Sequence, residues 1–218
     1  MIVEDLKVIT LEVGMLGTDC YLVQDGGTGD GYVIDPGGEA RKVLDAVDGI
    51  GLKCLGILCT HGHMDHVGAV GKVAEGTGAP VYISEEDSRI LAGTVQGLGA
   101  RLGGLLVSKP RGVELLKGGD SLPMGEHAVR VLFTPGHTPG SLSFLIGGNL
   151  FCGDLVFQGS IGRTDLRGGS LESLMESVRR EVFVLPPETR IFPGHGPATT
   201  VGAEKRYNPF LSRIIEEE

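Results

Sequence analysis

Apolar residues in this chain form short runs bounded by glycine and proline, and longer stretches with helical spacing. Short runs of β-branched and aromatic residues between turn-forming residues are typical of strands. By this criterion the first strands lie near residues 6–13, 20–24 and 32–35. The helical spacing predicts helices at residues 39–47, 67–75, 85–95 and 171–182. With 218 residues and a hydrophobic content of 41%, the chain suits one large α/β domain with a buried core.

Four further apolar runs each stop at a turn, and a residue that can bind a metal follows each of them. We expect every run to be a buried strand that ends at the rim of a sheet. Loops at strand ends let a rigid scaffold aim side chains into one cavity. The runs are residues 57–60 before His61, 131–134 before His137, 150–152 before Asp154, and 191–192 before His195.

The densest chemistry is the segment Thr-His-Gly-His-Met-Asp-His that begins at Thr60. Imidazole and carboxylate groups bind zinc, iron or manganese, and crowding them without a metal costs desolvation and charge repulsion. Alternate side chains of an extended segment point the same way, so His61, His63 and Asp65 are expected to face one cavity. Asp65 is also expected near the N-terminus of the following helix, where a negative charge is favoured. The cluster and two later Pro-Gly-His turns predict a metal site.

These residues, taken in order, resemble the signature of the metallo-β-lactamase superfamily. Its His-x-His-x-Asp-His motif stands at residues 61–66. Its later histidine, bridging aspartate and final histidine have counterparts at His137, Asp154 and His195. The resemblance covers nearly the whole chain. It implies a single domain over residues 1–218, folded as a four-layer αββα sandwich with a two-metal site along one edge of the paired sheets.

The resemblance also implies a role for each of these side chains. A first metal ion would be held by His61, His63 and His137. A second would be held by Asp65, His66 and His195. Asp154 and a water or hydroxide would bridge the two ions, and the catalytic carboxylates would be Asp65 and Asp154. Two divalent ions make hydroxide available at neutral pH and polarise a carbonyl under attack. Zinc is expected, with iron and manganese as alternatives that the same ligands accept.

Within the superfamily, residues 153–166 resemble the corresponding stretch of glyoxalase II and its short relatives. Arg163 stands where those enzymes carry a basic residue that binds the carboxylate of glutathione, and a guanidinium can do this through paired hydrogen bonds. The alternative is an arginine that is merely solvated on a loop. The resemblance thus favours a substrate-binding role for Arg163.

The end of the chain, residues 194–211, resembles a short hydroxyacylglutathione hydrolase subgroup that lacks most of the C-terminal helical domain. Of the basic contacts which that domain supplies, Arg213 is the remaining candidate for substrate binding. The full-length enzymes place tyrosines on glutathione where this chain has Asp165 and Pro197. Substrate binding is therefore expected to be weaker or different.

The function implied is hydrolysis of a glutathione thioester, with S-lactoylglutathione or a related hydroxyacyl thioester as the substrate. The alternative is a glutathione persulfide dioxygenase, because that branch carries the same histidines and a run like residues 162–165. It would use one iron bound by His61, His137 and Asp154. A nuclease is a third hypothesis. A non-catalytic structural role is the least favoured, because no ligand position of the motif has been lost.

The charge balance bears on the partners. A formal net charge of −9 argues against nucleic acid, whose binding needs clustered Lys and Arg. The first residues are acidic where a signal peptide is basic, and no apolar stretch is long enough to span a bilayer. We therefore expect a cytoplasmic protein that binds a small molecule and neither nucleic acid nor membrane. Its oligomeric state stays open.

Other residues receive simpler interpretations. Cysteines without a Cys-x-x-Cys pair in apolar runs are expected to be buried free thiols, namely Cys20, Cys54, Cys59 and Cys152. His127 is assigned to a surface turn. The glycine-rich residues 26–31 are expected to form a hairpin and not a phosphate loop, because a strand follows them. Residues 98–106 are either a loop over the active site or, preferably, a plain surface connection.

Overall fold

A computed structural model of the protein describes residues 6–96, 110 and 112–211, with no side-chain description for residues 93–96. The described part of the chain contains two six-stranded sheets. In the first sheet the strands lie side by side in chain order. They are β1 (Leu6–Val13), β2 (Thr18–Asp25), β3 (Asp30–Ile34), β4 (Lys53–Leu58), β5 (Val81–Ser84) and β6 (Val113–Leu116). β1, β2 and β3 pair antiparallel, and β3 to β6 pair parallel.

The second sheet has the order β14-β13-β10-β9-β8-β7. Its strands are β7 (Ser121–Met124), β8 (His127–Phe133), β9 (Leu142–Ile146), β10 (Asn149–Gly153), β13 (Arg190–Pro193) and β14 (Thr199–Thr200). Because β9 is antiparallel to both β8 and β10, and β13 is parallel to β10, three strands of this sheet end at the same edge. A separate short pair consists of β11 (Val156–Phe157) and β12 (Ser160–Ile161).

Helices cover the outer faces of both sheets. They are α1 (Ala40–Gly49), α2 (Met64–Val67), α3 (Val70–Thr77), α4 (Glu85–Gln96), α5 (Leu171–Ser177), a π-helix (Val178–Val182) and α6 (Val201–Tyr207). The hydroxyl of Ser170 accepts a hydrogen bond from the amide of Ser173 and so caps α5. In the described part of the chain, no helix is long and apolar enough to cross a membrane.

The hydrophobic side chains form three clusters that separate four layers. One cluster packs the first sheet against α1 and α3 through residues such as Val43 and Val70. A second lies between the sheets and contains aromatic residues from both, such as Tyr32 and Phe144. The third packs the second sheet against α5 and the π-helix, around Leu174. The expected αββα sandwich is confirmed.

The predicted strands and the glycine-rich hairpin are confirmed, but the helix predicted at residues 67–75 is interrupted. The chain forms two helices there, α2 and α3, with a break at Gly68 and Ala69. The amide of Ala69 donates to the carbonyl oxygen of Pro36 at 2.9 Å, so it is engaged outside the helix. A Cβ at Gly68 would lie 2.3 Å from the oxygen of Gly37. Close packing of the loop after β3 therefore ends the first helix.

The assignment of His127 to a surface turn is wrong. The turn consists of Gly125 and Glu126, and His127 begins β8 opposite Met124. Its side chain is 7% exposed, with Nε2 3.8 Å from Oδ2 of Asp25. The imidazole is therefore largely buried, beside that carboxylate.

The four cysteines are free, as expected, and none forms a disulfide. Three of them, Cys20, Cys59 and Cys152, are buried, whereas Cys54 is only partly buried. Burial raises the pKa of each of these four thiols. Residues 98–106 lie outside the described residues, so neither interpretation of that segment is tested.

Candidate metal centre

The site residues lie on segments that follow strand ends at one edge of the two sheets. His61 and His63 follow β4 of the first sheet. His137, Asp154 and His195 follow β8, β10 and β13 of the second. Backbone hydrogen bonds join the sheets at this edge. The amide of Leu142 donates to the oxygen of Thr60 at 2.8 Å, and the amide of Asp19 donates to the oxygen of Gly194 at 2.8 Å.

The described side chains at this edge form three overlapping groups, and within each group the potential ligand atoms lie within 4.8 Å of one another. One of the three consists of Asp35, His61 and His66, and the other two contain the predicted ligands. The first group, called here the three-histidine group, consists of His61, His63 and His137. The second, called here the Asp65 group, consists of Asp65, His66 and His195. The structure thus brings together residues from distant parts of the sequence, as the strand pattern predicted.

Asp154 lies between the two groups. Its Oδ2 is 3.5 Å from Nε2 of His137, which belongs to the three-histidine group. Its Oδ1 is 3.3 Å from Nε2 of His66 and 3.8 Å from Nε2 of His195. One oxygen therefore faces each group, which is the placement that a bridging carboxylate requires.

Asp65 belongs to a different group from His61 and His63, although all three side chains lie at the same edge of the sheets. Helix α2 begins at Met64, and helical geometry replaces the extended alternation there. The carboxylate of Asp65 consequently lies 3.3 Å from Nε2 of His195. Its position in the first turn of a helix is confirmed.

Hydrogen bonds behind the site fix which ring nitrogens face it. The hydroxyl of Thr60 donates to Oδ2 of Asp35, so its contact of 3.1 Å with Nδ1 of His61 makes that nitrogen the donor. Nδ1 of His66 donates to Oδ2 of Asp35 at 2.9 Å. In both rings Nε2 then faces the site, and in the neutral ring this nitrogen carries the lone pair that binds a metal.

The imidazole of His137 also has a hydrogen-bond partner behind the site. Its Nδ1 donates to the carbonyl oxygen of Arg163 at 2.8 Å, and its Nε2 lies 2.9 Å from Nδ1 of His63. The Nε2 lone pair of His137 therefore points at the neighbouring ring. A cation between these nitrogens would satisfy it, and backbone and side-chain partners behind ligating histidines are a general feature of metal sites.

Three buried polar atoms at this edge have no hydrogen-bond partner in the described structure: Nε2 of His61, Nε2 of His66 and Oδ1 of Asp154. Leaving such atoms unpaired costs about 1–3 kcal/mol each. Two imidazole nitrogens and a carboxylate oxygen are all ligand types for zinc or iron. The donor set therefore fits divalent metal ions.

The electrostatics of the site keep His61, His63 and Asp65 in the protonation states that bind a metal. Burial and the neighbouring imidazoles lower the pKa of His61 and His63. Burial opposes ionisation of Asp65, but its hydrogen bond with His195 and the charge of His66 lower its pKa to about 2. Neutral imidazoles and ionised carboxylates are the states that bind a metal.

His66 and His195 behave differently, because carboxylates face them. Burial lowers the pKa of His66, yet its contacts with Asp154 and Asp35 raise it well above the usual value. The hydrogen bond to Asp65 raises the pKa of His195. The carboxylates that favour a proton on these rings also favour binding of a divalent cation. Such a cation would replace the proton.

Asp35 is a site residue that the sequence interpretation missed. Its carboxylate accepts hydrogen bonds from the amide of Thr60 at 2.7 Å, from the Thr60 hydroxyl and from His66. It adopts φ 49°, an unusual conformation for a residue other than glycine. The available signal was its position, since it directly follows β3 and precedes Pro36, as the ligands follow their own strands.

The two predicted substrate-binding arginines have different outcomes. Arg163 is exposed, and its guanidinium donates to both oxygens of Asp165 at 2.8 and 2.9 Å. Its carbonyl oxygen, not its side chain, contacts the site through His137. Arg213 lies outside the described residues, so its role stays a prediction.

Comparison with known proteins identifies relatives of the whole chain. The family described as the metallo-beta-lactamase superfamily matches residues 13–195. A hydroxyacylglutathione hydrolase, GloC, from Haemophilus influenzae is 35% identical over 201 residues, which are 89% of this chain and 92% of that protein.

Two solved structures are also similar. The protein TTHA1623 in a di-iron-bound form is 43% identical with a TM-score of 0.83, covering 94% of this chain and 100% of that one. The protein ETHE1 from Myxococcus xanthus is 28% identical with a TM-score of 0.76, covering 97% of this chain and 90% of that one.

Proposed function

Because the chain belongs to the metallo-beta-lactamase superfamily, a superfamily of metallo-hydrolases, we propose that it hydrolyses glutathione thioesters with two divalent metal ions. S-lactoylglutathione or a related hydroxyacyl thioester is the proposed substrate. The observation that carries the proposal is the position of Asp154, with one oxygen toward each group of ligands. The hydroxyacylglutathione hydrolase of Haemophilus influenzae, a relative at 35% identity, supports the substrate class.

The proposed ligands follow the two groups. The three-histidine group would hold one ion, the Asp65 group would hold the other, and Asp154 would contact both. When bound, the ions would supply hydroxide at neutral pH and polarise the thioester carbonyl. We propose zinc first, with iron as the alternative that a di-iron-bound relative supports.

Residues of the chain orient the proposed ligand rings and supply negative charge to the site. Asp35 holds the ring of His66 through Nδ1 and that of His61 through Thr60, so both rings present Nε2 to the same space. The carboxylate of Asp65 stays ionised above pH about 2. It therefore accepts hydrogen bonds or ligates an ion throughout the neutral range, and it carries no proton to donate to the thiolate that leaves.

The substrate carboxylate is proposed to bind Arg163. In the described structure that guanidinium is paired with Asp165, which stands where the full-length glyoxalase II enzymes carry a tyrosine. When substrate binds, the guanidinium of Arg163 would leave the carboxylate of Asp165 and pair with the carboxylate of the substrate. Because the pair is exposed and screened by water, giving up the contact with Asp165 costs little.

The test is a thioester hydrolysis assay with S-lactoylglutathione, run on protein whose metal content has been measured. The proposal predicts release of free thiol that depends on the metal and not on oxygen. Asp154→Asn should lose about a hundredfold or more in kcat, because an amide has only one oxygen for two groups. Absence of turnover across acyl thioesters of glutathione by the fully metal-loaded protein would overturn the proposal.

A second candidate is a glutathione persulfide dioxygenase with one iron held by His61, His137 and Asp154. Two observations favour keeping it: residues 162–165 resemble that branch, and ETHE1 is a structural neighbour. This reaction consumes oxygen, whereas hydrolysis does not. Oxygen uptake with glutathione persulfide, measured by an oxygen electrode, distinguishes the two.

A further inference from the structure

Asp87 is a buried carboxylate that belongs to neither ligand group. It lies in the first turn of α4, is fully buried, and uses its two oxygens for two different loops. Oδ2 accepts a hydrogen bond from the amide of Gly62 at 2.8 Å. Oδ1 accepts one from the amide of Gly140 at 2.9 Å. One side chain on α4 thus joins a loop of the first sheet to a loop of the second.

The two loops are those of the three-histidine group. Gly62 stands between His61 and His63, and Gly140 lies shortly after His137. The carboxylate therefore connects the segments that carry all three imidazoles. Two backbone N–H groups from different loops therefore share one buried carboxyl group.

Close packing around Asp87 leaves these loops little freedom. A Cβ at Gly62 would lie 2.6 Å from the carbonyl oxygen of Asp87 and 2.9 Å from Cβ of Ile90. A Cβ at Gly140 would lie 2.5 Å from Oδ1 of Asp87 and 2.2 Å from Oγ of Ser84. Both glycines are thus pressed against the beginning of α4, and a small displacement of the carboxylate would move both loops.

The Asp65 group is held by a different carboxylate. Asp35 contacts His66 directly, and the described structure records no hydrogen bond from Asp87 to that group. Asp35 also reaches His61 through Thr60, so this one ring has supports from both sides. Asp87 therefore supports the three-histidine group, whereas Asp35 supports the Asp65 group and the ring of His61. Removal of Asp87 should weaken metal binding by the three-histidine group more than metal binding by the Asp65 group.

We propose that Asp87 is a positioning residue for the three-histidine group, which fixes the separation of the His61–His63 loop from His137 and so the affinity of that group for its metal ion. The proposal rests on the metal site of the proposed function but not on its substrate. It is therefore tested by metal binding. If the protein has no thioesterase activity, the proposed function is overturned. The role of Asp87 can then still be tested by measuring metal affinity.

The test uses Asp87→Asn in the full chain loaded with Co²⁺, whose visible spectrum reports on the ligands. The amide keeps the size of the side chain but turns a donor toward one of the two N–H groups. Affinity of one ion, measured by competition with a chelator, should fall about 10–100-fold, as for other residues that support metal ligands. The spectrum of the remaining ion should match that of His137→Ala and differ from that of His195→Ala.

Asp25 offers a matched control. It is also a buried carboxylate that joins loops of both sheets, accepting from the amide of Thr28 at 2.8 Å and from that of Glu126 at 3.0 Å. It lies at the opposite end of β2 from the strand end that contacts the site. Asp25→Asn should lower the unfolding temperature and leave both cobalt affinities unchanged.

The outcomes separate positioning from general stability. If excess Co²⁺ restores the two-ion spectrum of Asp87→Asn, the role is positioning. Wild-type affinity for both ions in Asp87→Asn would overturn the proposal. An equal loss of both ions, together with an unfolding temperature of the metal-free protein lowered as in Asp25→Asn, would also overturn it. Should Asp87→Asn not fold, Asp87→Ser is measured in the same way, because its short hydroxyl cannot reach both amides.

Discussion

The Oδ2 atom of Asp35 lies 2.9 Å from Nδ1 of His66, and it also accepts the hydroxyl proton of Thr60. Through Thr60 the same carboxylate orients His61. One carboxylate thus sets the ring orientation of two proposed ligands, one in each group. Carboxylate–imidazole pairs of this kind fix the tautomer and increase the basicity of the ligating nitrogen.

Replacement of Asp35 by asparagine should weaken metal binding by about 10–100-fold. Asparagine tolerates the left-handed backbone conformation at this position, so the change removes the charge without adding backbone strain. The affinity for zinc, measured by competition with a chromogenic chelator, checks the prediction. Thr60→Val is the comparison, because it removes only the link to His61 and should have the smaller effect. Equal affinity of Asp35→Asn and the unchanged protein would contradict this account of the site.

The pair formed by Arg163 and Asp165 should regulate substrate affinity in opposite directions. Arg163→Ala should raise KM for S-lactoylglutathione about tenfold, because a charge-assisted hydrogen bond is lost. Asp165→Asn should lower KM, since the guanidinium no longer has a competing partner on its own loop. Both effects should leave kcat nearly unchanged. Steady-state kinetics in which neither variant alters KM would show that Arg163 is only solvated.

The pH dependence of stability should carry a contribution from Asp19. Burial raises its pKa from 3.8 to about 6, despite the attraction of His195. The folded state therefore binds this proton more tightly than the unfolded state, and stability falls as the pH rises from 3.8 to 6. Asp19→Asn should remove that loss of stability and so raise the unfolding temperature at pH 7.5. The rise should be about 2–4 °C for each kcal/mol of stability gained.

The measurement for Asp19 is thermal unfolding of both proteins in the presence of a chelator, so that metal binding does not contribute. The gain should disappear below about pH 4, where the carboxyl is protonated in both states. A lower unfolding temperature for Asp19→Asn at pH 7.5, or a difference that does not depend on pH, would contradict the prediction.

Much of the layer structure was predictable because it depends on local signals. The apolar runs that became β4, β8, β10 and β13 are read from residue type and turn chemistry alone. The helix cap at Ser170 follows from the same kind of signal. The ligands were predictable because metal-binding residues directly follow these strands.

The roles of the supporting residues were not predicted, because a position next to a strand or helix is a weak signal and these roles come from contacts between distant segments. Asp35 and Asp87 each follow or begin an element like many other acidic residues, and only the folded chain brings them against Thr60 and Gly62. The break after α2 also depends on a contact with a distant segment, because the carbonyl oxygen of Pro36 accepts a hydrogen bond from the amide of Ala69. The partner of His127 is likewise far away in sequence.

The central claim is that the two groups on either side of Asp154 each hold a divalent ion. Metal analysis of the purified protein, with zinc, iron and manganese measured together, tests it most directly when paired with the same analysis of His195→Ala. The account predicts two ions per chain in the unchanged protein and one in the variant. A single iron in both proteins, with oxygen uptake during turnover, would contradict it.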